Sequence, residues 1–146
     1  MNTKHYTSIE MSKKLIELGL NPDSADMFYN EEPDEYYPKD IVDTKYPMVI
    51  REGQKHYLKE YGVPCWSLGA LLEVMPPYLF EFERGIDLNI YRNLNGKGWH
   101  VSYMPNNDES MQKDKFRQIT NGGTPIEAAY NMVVWLLENG YIKKGE

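Results

Sequence analysis

Apolar positions recur with a helical period near both ends of the chain and alternate with polar ones in between. The most completely marked element is the segment from Thr124 to Gly140. Ile126, Ala129, Tyr130, Val133, Val134 and Leu137 follow a 3.6-residue stripe, and Met132, Trp135 and Leu136 widen it until Glu127, Asn131 and Glu138 are left for solvent. Thr124 can accept a hydrogen bond from the N–H of Glu127, whose carboxylate can reach back to the N–H of Thr124. Pro125 sits at the first helical position, where a missing N–H costs nothing. Such a helix must be buried against something.

Near the other end, Thr7-Ser8-Ile9-Glu10 reads as a capping box. Met11, Leu15, Ile16 and Leu18 lie on one side of the helix that follows, Lys13, Lys14 and Glu17 on the other, and Gly19-Leu20 forms a Schellman-type stop. Asn21-Pro22 restarts a short second helix running to Met27. Phe28 to Asp43 then reads as an acidic loop in which Pro33 and Pro38 limit regular structure, either a solvated connection whose tyrosines fold back on the core or a protein-contact segment. Tyr46–Arg51 is expected as a short edge strand, and Glu52–Gly62 as a helix with Tyr57, Leu58 and Tyr61 inward. Ser67–Met75, between Pro64 and Pro76-Pro77, reads as a short apolar core helix capped by Ser67.

The strongest strand signal is a hairpin over residues 86–104. Asn95-Gly96 is the pair favoured by a type I′ turn, and a two-residue loop there pairs Leu94 with Lys97. Leu88 then faces Tyr103, Ile90 faces Val101 and Arg92 faces Trp99 on one side of the ribbon. Asn89 faces Ser102 and Tyr91 faces His100 on the other, so this register separates most apolar from polar positions. Leu79–Glu83 adds an antiparallel strand through Arg84-Gly85, and Phe116–Ile119, within the polar stretch 105–123, adds another. The predicted class is α+β: a small antiparallel sheet of three or four strands packed by an N-terminal helix, a short central helix and a long C-terminal helix.

Length changes this picture little: 146 residues suit one domain, 1–146, with the acidic tyrosine-rich loop at about 28–46. One cysteine, Cys65, excludes an internal disulfide. Met1 to Tyr6 lack a signal-peptide apolar run, and no stretch approaches the roughly 20 apolar residues of a membrane span, so the reading is a cytoplasmic protein. Charge changes it more. Residues 23–43 hold eight acids against Lys39 alone, a local balance of −7 where the whole chain carries −6. The remaining body is near neutral and offers no basic footprint, which disfavours nucleic acid as a partner.

Candidate chemistry is sparse. His5, His56 and His100 form no close cluster with Cys65 at metal-ligand spacing, so neither metal nor cofactor is expected. Cys65 leads into a helix start, which can lower a thiol pKa, yet a free cysteine beside Trp66 is more often a buried small residue. Ser67 is explained by capping, with no Gly-x-Ser-x-Gly elbow around it. Glu73 and Glu81 lie in apolar surroundings but fall on the outward positions of their elements. The acids of residues 23–43 do not follow a calcium-loop order. Gly122-Gly123 before a helix lacks the remaining positions of a phosphate loop, and Glu127 places a negative charge where the anion would sit.

Three blocks, Ser8–Leu20 with Ala25-Asp26-Met27, Pro64–Leu72 and Thr124–Leu137, resemble a family of small uncharacterised proteins of Bacteroidales-type gut bacteria and their phages or integrated elements. They span about half of the chain. The layout is also loosely similar to phage α-β-α sandwich domains, in which a Trp-containing strand precedes a Thr-Pro helix. The resemblance implies an origin in mobile DNA. It lends no activity, and it matches least over residues 28–46.

The leading expectation is therefore a non-enzymatic accessory protein that binds another protein through Tyr29, Glu31, Glu32, Asp34, Glu35, Tyr36 and Tyr37, since tyrosine joins apolar area to a polar tip. A small-ligand binder or enzyme with a pocket near Cys65, Glu73 and His100 is one alternative. A subunit of a homo-oligomer, such as a homodimer, is another, suggested by the broad apolar circumference of the last helix.

Overall fold

The last helix, α3 (Pro125–Glu138), starts and stops where its end signals lie. Thr124 Oγ1 accepts the Glu127 N–H at 3.3 Å. The Glu127 carboxylate reaches one residue further back than expected, to the N–H of Gly123 at 2.9 Å rather than that of Thr124. At the far end Gly140 takes φ +78°, and the N–H groups of Gly140 and Tyr141 return to the carbonyls of Leu137 and Leu136, the Schellman pattern. The structure, a computed structural model, describes residues 5–30, 47–49, 62–81, 84–105 and 118–145. Within them the chain is α+β, with α1 (Ile9–Glu17) and α2 (Leu68–Val74) as the other helices.

Four strands form one antiparallel sheet in chain order: β4 (Tyr78–Glu81), β5 (Arg84–Arg92), β6 (Trp99–Pro105) and β7 (Gln118–Gly122). The β5–β6 register is the one that the alternation demands, with Leu88 opposite Tyr103, Ile90 opposite Val101 and Arg92 opposite Trp99. The turn differs from the expected Asn95-Gly96 pair. The Gly96 N–H bonds the Asn93 carbonyl at 2.9 Å, so Leu94 and Asn95 are the central residues. Gly98, at φ +81°, absorbs the offset before Trp99, and the register is kept.

The β4–β5 connection is also displaced from Arg84-Gly85. Glu81 pairs with Arg84, so Arg84 and Gly85 both lie in β5, Gly85 opposite Phe80, while Phe82 and Glu83 lie outside the described residues. Of the strand expected over Phe116–Ile119, Gln118 and Ile119 lie in β7, which runs on to Gly122, and Phe116 and Arg117 lie outside the described residues.

β7 clamps α3 onto the sheet. The Thr120 hydroxyl donates to the Ala128 carbonyl at 2.9 Å, and the Asn131 amide donates to the Asn121 carbonyl at 2.8 Å. Gly122 permits the approach, because a Cβ there would lie 2.4 Å from the Ala128 nitrogen. Ile126, Ala129, Met132, Val133 and Leu136 are buried in one core with Val101 and Tyr103 of β6, Leu71 of α2 and Leu15 of α1. Each fully buried Leu, Ile, Val or Met side chain among these contributes about 1.5–3 kcal/mol. The broad apolar circumference of α3 is thus largely consumed within the chain, and the homo-oligomer expectation loses the feature that suggested it.

A second antiparallel sheet has the order β2-β1-β3, from β1 (Met27–Asn30), β2 (Met48–Val49) and β3 (Gly62–Cys65). Of the short edge strand expected over Tyr46–Arg51, Met48 and Val49 form β2 at the sheet edge and Tyr46, Ile50 and Arg51 lie outside the described residues; two other expectations are corrected. The short helix expected over Asn21–Met27 has the expected start, with Asn21 as cap and Pro22 at the first position, but it is a single 3-10 turn over Pro22–Ser24, after which the chain extends into β1. Local side-chain bonds cap and close this single turn. Asn21 Oδ1 accepts the Asp23 N–H, the Ser24 hydroxyl donates to the Asn21 carbonyl, and Trp66 Nε1 donates to Ser24 Oγ at 2.9 Å. Asp26 is drawn to α2, where its Oδ1 accepts the Ser67 N–H at 2.9 Å and its Oδ2 the Ser67 hydroxyl, while Ser67 Oγ caps the Ala70 N–H.

Likewise Phe28–Asn30 are strand, not the start of a loop. Of the helix expected over Glu52–Gly62, Gly62 belongs to β3 and the rest lies outside the described residues. Pro64 is compatible with β3 because that strand is at an edge, where a missing N–H breaks no ladder.

Candidate functional site

The densest polar constellation among the described residues is buried where the chain's first described residues meet β1 and β3. The cap of α1 is Ser8, not Thr7: Ser8 Oγ accepts the Met11 N–H at 3.1 Å, and Met11 Sδ takes the place of the expected carboxylate opposite the Ser8 N–H. Thr7 is thereby released to serve as a hub. Its N–H bonds the Trp66 carbonyl, and its Oγ1 accepts the Trp66 N–H at 3.0 Å. The Ser12 hydroxyl donates to the Ser8 carbonyl at 2.7 Å, so the 2.8 Å bond between Thr7 and Ser12 is supplied by the Thr7 proton. The Thr7 carbonyl accepts twice, from the Tyr29 hydroxyl at 2.7 Å and from the Cys65 thiol at 3.2 Å.

Cys65 is wholly inaccessible to solvent. Burial pushes its thiol from 9.0 up to about 11, against the smaller opposing pull of the hydroxyls of Thr7 and Tyr29. The phenol of Tyr29 is raised as well, by burial first and by the neighbouring Cys65 second. A thiol that is protonated at neutral pH and closed to solvent is a poor nucleophile. The cluster's donors are matched to acceptors, which suits it to hold the first residues against both strands.

The other residues of the expected pocket do not join it. Glu73 is exposed on α2. His100 lies in the hairpin, its Nδ1 2.9 Å from Asn93 Oδ1 and its ring 5.1 Å from that of Tyr91. No hydrogen bond described here links Cys65, Glu73 and His100. Among the described residues no group of three or more His, Cys, Asp or Glu side chains is placed to hold a metal ion, and no helix is long and apolar enough to cross a membrane.

Of the residues expected on a protein-contact surface, Tyr29 is corrected. It is 2% exposed and its hydroxyl is spent on Thr7, so it belongs to the interior. Glu31, Glu32, Asp34, Glu35, Tyr36 and Tyr37 lie outside the described residues. The structure does define how their segment is attached. β1 pairs antiparallel with β2, with Met27 opposite Val49 and Phe28 opposite Met48. The strands that flank the acidic segment in sequence, β1 and β2, therefore lie side by side.

No protein-family model, curated protein or solved structure matches this chain.

Nothing in the sequence singles out Thr7 as a hub, because a helix-cap role is enough to explain a threonine at that position. The signal that was present is Met27-Phe28-Tyr29, an apolar run before the acids that reads equally well as a buried strand.

Proposed function

We propose that the chain acts by binding another protein through residues 31–43, as a non-enzymatic accessory protein of phage or mobile-element DNA. The observation that carries this reading is the pairing of Phe28 with Met48. It tethers both ends of the most acidic stretch of the chain to one side of a small sheet, so part of the entropy of presenting that stretch is met by folding rather than at binding. Tyr36 and Tyr37 supply apolar area with polar tips, and the acids favour a partner with a positively charged face, so capture weakens as salt rises. The mobile-DNA origin rests on the resemblance alone. A buried, protonated Cys65 suits a reducing cytoplasm.

The test is affinity capture from a host lysate by the intact chain, beside a variant whose residues 31–43 are replaced by a Gly/Ser linker and a second variant with Tyr36→Ser and Tyr37→Ser. Circular dichroism confirms that all three are folded. A partner held by the intact chain and lost by both variants supports the reading; equal capture by all three, or capture by none, overturns it. Starting the replacement at residue 31 keeps Phe28 and Tyr29 in their buried places.

A further inference from the structure

We draw no further inference here: the strongest candidate, the outer face of the four-stranded sheet around Tyr91, His100 and Ile119, where the buried Ser102 hydroxyl has no hydrogen-bond partner among the described residues, carries nothing because nothing in the structure shows what covers it.

Discussion

Tyr29 donates its hydroxyl to the main-chain carbonyl of Thr7 across 2.7 Å, joining β1 to the residue that precedes the first helix cap. Tyr29→Phe keeps the ring and removes the donor, while the Cys65 thiol still serves the same carbonyl, so the expected cost is about 1 kcal/mol. Thr7→Val keeps the shape but strands the Trp66 N–H and removes the donor to Ser12, for about 1–3 kcal/mol. Urea denaturation of the two variants should rank them in that order. The reverse order would mean that Thr7 is not the hub of the cluster.

Cys65 should resist alkylation in the folded chain. At neutral pH a maleimide reagent is expected to label it only as fast as the protein opens, and the rate should rise to that of an ordinary thiol in denaturant. Rapid labelling under native conditions would contradict the burial described here.

The same residue makes stability depend on alkaline pH. The folded chain holds the Cys65 proton more tightly than the unfolded chain, whose thiol ionises near 9.0. Below that pH both states are protonated and the group has no effect. As pH rises from 9.0 towards about 11 the unfolded state loses its proton first, and stability falls by a total of about 3 kcal/mol. Tyr29 and Tyr103, both raised chiefly by burial, act in the same direction at higher pH. Urea midpoints at about pH 8 and pH 10.5 measure the fall, and Cys65→Ala should reduce it.

Gly122→Ala should be among the most damaging small substitutions. Its Cβ would meet the Ala128 nitrogen at 2.4 Å and the Glu127 Cβ at 2.6 Å, both fixed by the first turn of α3. An overpacking cost of about 3 kcal/mol is expected. Gly96→Ala meets nothing within 4 Å and bears only the penalty of φ +73°, about 1 kcal/mol. Thermal melts of the pair separate close approach from backbone conformation.

Asp26→Ala removes the carboxylate that holds both the N–H and the hydroxyl of Ser67, while leaving Ser67 free to cap Ala70. As Asp26 is exposed, a loss of about 0.5–1 kcal/mol is expected. Asp26→Asn should recover part of it in the same melt.

The elements legible in the sequence were those whose signals are local. Thr124, Pro125 and Gly140 bracket α3 within one stretch of chain, and the β5–β6 register follows from an apolar alternation that only one pairing satisfies. β1 and β3 escaped because four residues are too few for a period to register, and because Pro64 and the acids after Asn30 both point away from strand. The buried cluster was less accessible still: Tyr29 finds its acceptor 22 positions back and Cys65 finds its own 58 positions back. Such partners are chosen by the tertiary packing of α1 against β3, and nothing in the spacing of Thr7, Ser12, Tyr29 and Cys65 announces them.

The adjacency of β1 and β2 also bears on how such a chain can diverge. With Phe28 held beside Met48, a flexible connection between them could double in length for only about 0.6 kcal/mol of closure entropy. Descendants of this protein can therefore lengthen, shorten or rewrite residues 31–46 while retaining Thr7, Tyr29, Cys65 and the packing of α3. Relatives that share the interior yet differ freely across this interval are the evolutionary pattern to expect.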